Sequence, residues 1–266
     1  MPFTAVPAYA LSITELTDIL GRCFQDYFVP FTLTPEQFAA RFIAEGLSFA
    51  DSCVWFADNE PVAIALITRR GNRARLAAFA IQPGWRGKGL TKPMLGALFA
   101  GLKDVTSLSL EVIRENAPAI ALYESLGFSI ARDLCGYQGK RVEPVAGLAE
   151  GSLDGLLCAV YRGPAENTPW QLDPLSFPSL PCRILKDGEH AWAVIATLTA
   201  TPQLRYLFVE PAYRRQGLAR QLLQKINAQY PGIGTPVAVP AALASLFEGA
   251  GYQEMVIAQY EMVRTA

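Results

Sequence analysis

The chain of 266 residues carries one pattern twice. Leu76 to Ile81 is an apolar run that feeds Gln82-Pro83-Gly84-Trp85-Arg86-Gly87-Lys88-Gly89-Leu90-Thr91. Leu90, Met94, Leu95, Leu98, Phe99 and Leu102 then recur at helical spacing, so the order is strand, glycine-rich turn, helix. Leu204 to Val209 feeds Glu210-Pro211-Ala212-Tyr213-Arg214-Arg215-Gln216-Gly217-Leu218-Ala219 in the same way, and Leu218, Leu222, Leu223 and Ile226 continue it. Pro83 and Pro211, Arg86 and Arg214, and Gly89 and Gly217 are each separated by 128 positions. A strand, turn and helix repeating in register at a domain-sized period predict two copies of one domain rather than a solenoid.

Glycines in such a turn let the backbone fold tightly and leave amide N–H groups converging at a helix N-terminus. Unpaired donors and the positive end of the helix dipole attract phosphate oxygens there. Arg86 and Lys88 add positive charge to the rim. A turn that needs glycine only for its geometry is the plainer alternative for either copy taken alone.

At 51% hydrophobic and 18% charged, the composition is that of a folded soluble protein. A formal net charge of -1 gives no basic footprint for nucleic acid and no polybasic membrane patch. No Lys or Arg precedes Arg22, and the longest uncharged apolar stretch, Ala191 to Leu204, is too short and too rich in Thr to span a bilayer. The expectation is a cytoplasmic protein with neither a membrane nor a nucleic-acid partner. Cys23, Cys53, Cys135, Cys158 and Cys182 are scattered without a Cys-x-x-Cys pair, which predicts buried free thiols and no metal site. His190 is the only histidine, which removes most Ser-His and Cys-His schemes.

Along the chain, Ile13, Leu16, Ile19, Leu20, Phe24 and Tyr27 predict a helix over residues 12–28, capped by Ser12 or Thr14 and broken by Val29-Pro30-Phe31. Thr34, Pro35 and Gln37 open a second helix that runs to Gly46. Strands are expected over 52–57, 62–68 and 107–113, then a helix from an Asn116 cap to Gly127, then one or two strands over 129–140. In the second half, 152–161 reads as helix or strand and 163–181 is unassigned. A hairpin (182–186 and 191–199), a short strand (237–239), a helix (241–247) and a last strand (257–263) follow. The expected organisation is a domain over 1–142, a linker over 143–151 and a second domain over 152–266.

With these motifs the chain resembles two tandem domains of the GNAT superfamily of N-acetyltransferases. The family loop Arg/Gln-x-x-Gly-x-Gly/Ala is matched by Arg86–Thr91, with Thr91 departing from Gly or Ala, and more faithfully by Arg214–Ala219. Asn116, Leu122, Tyr123, Gly127 and Phe128 complete a second family motif. The segment from Leu110-Glu111-Val112 to Phe128 is similar to ribosomal-protein alanine acetyltransferases. The resemblance implies an α/β (α+β) fold in each half, a mixed twisted sheet flanked by helices. It implies acetyl-CoA as co-substrate, without a metal, in a splay between the strands 76–81 and 107–113. The backbone of Phe79, Ala80 and Ile81 would meet its pantetheine arm. Arg86, Gly87, Lys88, Gly89, Leu90 and Thr91 would hold its pyrophosphate, with Asn116, Ala119 and Tyr123 alongside. Val209, Arg214, Arg215, Gln216, Gly217, Leu218 and Ala219 are the matching set in the second copy.

Acetyl transfer to an amine requires the ammonium to lose a proton, since a Lys-type amine has a reference pKa of about 10.4. It also requires the leaving thiolate to gain one, and N–H donors for the carbonyl oxygen. Glu111 is the expected base, directly or through water, in line with the resemblance; the alternative is an exposed strand carboxylate. Tyr123 is the expected acid; the alternative is a packing aromatic. Asn116 caps its helix and touches the cofactor. In the second copy Thr235, Pro240 and Phe247 stand where Glu111, Asn116 and Tyr123 do, which places the chemistry in the first half. Asp26, Tyr27 and Phe28 are candidates for the wall facing the amine acceptor, against a plainer role as core. The resulting expectation is an N-acetyltransferase for a small-molecule or peptide amine, with a homodimer left open. The competing reading is a catalytically silent acyl-CoA-binding module.

Overall fold

The computed structural model describes residues 3–28, 32–140, 147–164 and 166–265. The chain divides into two compact units, residues 1–131 with 262–266, and residues 132–261.

The first unit opens with β1 (Thr4–Pro7), α1 (Ile13–Cys23) and α2 (Pro35–Ala44). Both helices start at reciprocal caps. The Ser12 hydroxyl accepts from Glu15 N while Glu15 accepts from Ser12 N, and Thr34 and Gln37 do the same. α1 ends earlier than its apolar spacing predicts. Phe24 caps it, Tyr27 N bonds back to Phe24 O, and Asp26 takes a left-handed φ of 59°, so Tyr27 leaves the helix. Val29, Pro30 and Phe31, expected to break this helix, lie outside the described residues.

Next come β2 (Leu47–Ala57), β3 (Glu60–Arg70), β4 (Arg73–Ile81), α3 (Thr91–Gly101), β5 (Ser107–Ile113) and α4 (Ala117–Ser125). The strand order is β1-β2-β3-β4-β5, antiparallel throughout except for the parallel pair β4/β5. Leu16, Leu20, Phe38 and Phe42 of the two helices pack on Val54, Ile64 and Leu66 of the sheet. A bulge at Ala77 interrupts the β3/β4 register between Leu66 and Ile67.

β6 (Ser129–Gly139) crosses the division between units at 131/132. The second unit continues with β7 (Ala149–Glu150), α5 (Leu153–Tyr161), β8 (Cys182–Asp187), β9 (Ala191–Ala196), β10 (Gln203–Val209), α6 (Leu218–Gln229), β11 (Val239–Pro240) and α7 (Ala244–Gly249). Its strands β10-β9-β8-β7 are antiparallel, and Leu222, Leu223 and Ile226 of α6 pack on Leu185, Ala193, Ile195 and Leu204. The stretch 163–181, unassigned from sequence, forms 3-10 turns at Trp170–Leu172 and Pro174–Ser179. β12 (Tyr252–Thr265) closes the chain, and its last residues belong to the first unit. There Arg264 donates to Leu126 O at 3.3 Å and lies 5.9 Å from the Phe99 ring.

The contact division at 131/132 differs from the sequence boundary at 142. Residues 132–139 pair with β11 and carry Tyr137 onto Phe247, both within the second unit. Of the expected linker, 143–146 lies outside the described residues, and Ala149–Glu150 is a strand paired with β8. The thiols are free, but only Cys23, Cys53 and Cys135 are buried; Cys158 is exposed on α5 and Cys182 half-buried. Among the described residues, no helix is long and apolar enough to cross a membrane.

Leu20 is fully buried between α1 and the sheet. Leu20→Ala is expected to destabilise the chain by about 2–5 kcal/mol through lost transfer energy and the cavity left behind; denaturant unfolding followed by far-UV circular dichroism measures it.

Candidate active site

The site is built where β4 and β5 part. Their parallel pairing runs from Arg73/Ser107 to Leu76/Leu110 and ends there. Beyond it Phe79, Ala80 and Ile81 pair on their other side with Ala65, Ile64 and Ala63 of β3, and Phe79 and Ala80 are half-buried.

Arg75 lies at the fork, 1% exposed. Its Nε donates to Glu111 Oε1 at 3.0 Å and Oε2 at 2.8 Å, and its second terminal nitrogen is 2.7 Å from Oε2. The other terminal nitrogen donates to Glu45 Oε2 at 2.8 Å, and Glu45 also receives Arg41 at 3.6 Å. Burying a lone guanidinium costs roughly several kcal/mol, so two carboxylates on one cation are the condition for keeping it there. Burial works against the charge, and Glu111 and Glu45 more than offset it, holding Arg75 above its ordinary pKa. Glu111 was expected from sequence as a base, directly or through water, with an exposed strand carboxylate as the alternative. Its side chain is 5% exposed, in a half-buried residue, and is held by Arg75 through both oxygens.

The turn after β4 has the expected build. Pro83–Trp85 forms a 3-10 turn, Gly87 and Gly89 take φ of 73° and 71°, and α3 begins at Thr91. A Cβ at either glycine would meet open space, so the left-handed backbone alone demands glycine. The second copy repeats this with φ of 63° at Arg215 and 85° at Gly217. The two loop arginines fold back alike: Arg86 Nε donates to Ile81 O at 3.0 Å, and Arg214 Nε to Val209 O at 2.9 Å. Arg86 also donates to Cys23 O at 3.1 Å and Gln25 O at 2.6 Å, bracing the segment after α1. Arg214 instead pairs with Glu166 at 2.5 Å. Lys88, exposed, sits 4.5 Å from the Trp85 ring; Leu90 and Thr91 are half-buried.

Asn116 caps α4, its Oδ1 accepting from Ala119 N at 3.3 Å. Its side chain also lies close to the Tyr27 hydroxyl and favours the ionised form of that phenol. Tyr123, 8% exposed, packs edge-on to Phe128 at 6.0 Å. Burial, and then its neighbour Tyr27, push the Tyr123 phenol above its ordinary pKa; burial raises that of Tyr27 as well, against the effect of Asn116. The structure thus joins Tyr27 to Asn116 and Tyr123, a link the sequence missed. Tyr27 stands edge-on to Phe24 at 5.1 Å and to Phe28 at 5.4 Å, and Asp26 and Phe28 are exposed. Asp26 and Tyr27 line an open groove with Asp18, Arg22, Gln25 and Thr32.

The second copy differs. Phe247 stacks on Tyr137 with centroids 4.5 Å apart. Thr235 accepts from Tyr137 N at 2.9 Å and donates to Pro236 O at 3.0 Å, and Pro240 lies in β11. The only parallel pairing there among the described residues is one bridge, Gln203 to Gly234. Beyond it Tyr206, Phe208 and Val209 are buried, with Tyr206 against Phe177 at 5.3 Å.

Comparison with known proteins places this architecture. The family model described as "Acetyltransferase (GNAT) family" matches residues 13–128, and the one described as "Acetyltransferase (GNAT) domain" matches 182–254. The [ribosomal protein bS18]-alanine N-acetyltransferase of Salmonella typhimurium is 40% identical over 77 residues, 28% of this chain and 52% of that protein. The match therefore spans about half the length of that relative. Among solved structures, a GCN5-related N-acetyltransferase from Sphaerobacter thermophilus shares the fold at TM-score 0.67 and 16% identity, over 99% of this chain and 95% of the other. A tandem GNAT protein of the clavulanic acid biosynthesis pathway does so at 0.66 and 12%, over 99% and 98%. With two matched domains that together take in more than half of its length, the chain belongs to the GNAT family of acetyltransferases.

Proposed function

We propose that this chain transfers an acetyl group from acetyl-CoA to a primary amine of a small molecule or peptide, and that its first unit performs the chemistry. The observation that carries the reading is the opening of β4 and β5 beyond Leu76 and Leu110 in the same unit as buried Tyr123. In this reading the pantetheine arm lies along Phe79–Ile81, whose free strand edge offers backbone groups to it and to the thioester oxygen. The pyrophosphate rests on the Gly87–Thr91 amides, with Asn116 and Ala119 beside the cofactor. In this reading the reaction takes place in the cytoplasm.

Tyr123 acts as the acid. Its raised pKa keeps the phenol protonated across the physiological range, so it can donate and does not serve as base. Glu111 accepts the ammonium proton through a water, because Arg75 occupies its direct contacts. The amine nitrogen then attacks the thioester carbonyl, the C–S bond breaks and the thiolate takes the Tyr123 proton. The second nitrogen proton, released as the tetrahedral intermediate collapses, restores the phenol. Asp26, Tyr27 and Phe28 face the acceptor. The likeness to the bS18-alanine enzyme covers about half of that protein and does not bring its acceptor with it.

The second unit is read as a silent copy. It lacks the hydroxyl at Phe247, and the strand segment that would face the arm is buried under its own aromatics.

Two measurements test the assignment. Tyr123→Phe should lower kcat by about 10²- to 10⁴-fold, the usual worth of an acid, while leaving the thermal transition intact; wild-type turnover in a thiol-release assay over a panel of amines would remove Tyr123 from the mechanism. Calorimetric titration of the intact chain with acetyl-CoA should give one site; two sites would return the second unit to a binding role.

A further inference from the structure

We propose that Arg75 is a positioning residue for acetyl transfer, acting through Glu111; the proposal rests on the transfer reading above. Arg75 stands in register with Ser109, one pair before the β4/β5 ladder ends at Leu76/Leu110, and Glu111 is the first β5 residue past that end. The bidentate contact from Nε and the terminal nitrogen therefore spans the two strands at the place where they separate. It fixes the orientation of the carboxylate, since a planar fork on a carboxylate leaves little rotational freedom.

The third contact ties this point to α2. Glu45 caps the C-terminus of α2, where a negative charge opposes the helix dipole, and Arg75 answers it. A largely buried ion network of this kind is not in general required for stability, because well-packed apolar residues of similar volume often serve as well. The internal repeat supports a role beyond packing. In the second unit Gln203 stands where Arg75 does and bridges Gly234 in parallel, as Arg75 pairs with Ser109; the next two residues, Thr235 and Pro236, offer no carboxylate in place of Glu111. The clamp and the Tyr123 hydroxyl are present together in one copy and missing together in the other.

The test is a double-mutant cycle on the full chain with acetyl-CoA and an accepted amine. If Arg75 works through Glu111, Arg75→Lys lowers kcat about 10- to 10²-fold, with KM for acetyl-CoA within about threefold of wild type, and adds less than about threefold to the loss in Glu111→Gln. Losses that multiply, or a loss confined to KM, overturn the proposal. Should Arg75→Lys fail to fold, the combination Arg75→Met, Glu45→Gln and Glu111→Gln removes all three charges together. A kcat equal to that of Glu111→Gln alone supports the clamp, and a further tenfold loss overturns it. A wild-type chain inert toward every amine overturns the transfer reading and this inference with it; an active wild type with multiplying losses overturns the inference alone.

Discussion

The rest of the first unit depends on a ladder that stops. Backbone N–H and C=O groups are obligatory hydrogen-bonding groups, and a strand interior to a sheet normally satisfies them on both sides. β4 does so from Arg73 to Leu76, then loses its β5 partner while keeping β3. The bulge at Ala77 falls where the loss begins and increases the local twist of β4 away from β5. Such an edge is costly to leave dry and useful to fill. An extended amide-bearing chain such as a pantetheine arm can replace the missing strand, much as a peptide adds to a sheet edge. In the proposed reading the strand, the turn that follows it and the helix beyond form one device, the edge for the arm and the turn for the phosphates.

The loop arginines show how that device is held. Sequence logic assigns a cation beside a glycine turn to the anion. Both Arg86 and Arg214 instead donate Nε to the carbonyl five residues back, at 3.0 and 2.9 Å. The shared bond closes the turn onto its own strand in both copies, whatever else each Arg meets. The remaining donors differ. Arg86 spends them on Cys23 O and Gln25 O, next to Tyr27, whereas Arg214 meets Glu166. In the first unit this connects the glycine turn to the segment that carries Tyr27, and Tyr27 in turn lies beside Asn116 at the head of α4. Two short motifs far apart in sequence are therefore bridged by a third segment that contains neither.

What was legible in the sequence was local. Ser12 with Glu15 and Thr34 with Gln37 announce their helices because each capping box is complete within four residues. Gly87, Gly89, Asn116 and Gly127 announce turn and caps because the backbone geometry they serve leaves few alternatives. The Arg75 clamp was not legible: Glu45 lies 30 residues before it and Glu111 36 after, and alternation on β5 shows that Glu111 avoids the Leu110 face without naming a partner. Tyr27 was placed on α1 because apolar spacing continues through it, while the backbone turns left at Asp26. The boundary at 142 failed to anticipate the division for a related reason. Alternation marks 129–139 as a strand, but its partner β11 comes about 100 residues later, in the second unit.

The comparison of the two copies bears on what a GNAT turn alone can mean. The second copy keeps the left-handed backbone, including a non-glycine residue at Arg215, and a twelve-residue helix behind it. If the turn served only phosphate, that conformation would have no reason to persist in a copy with Phe247 in place of Tyr123. The persistence follows from packing: Leu222, Leu223 and Ile226 must enter the core at fixed heights, and only a tight turn starts α6 at the register that puts them there. The motif is then a structural joint first and a phosphate cradle second. Its presence marks the fold, and the proposed assignment of acetyl transfer to the first unit rests instead on the parting of β4 and β5 and on Tyr123.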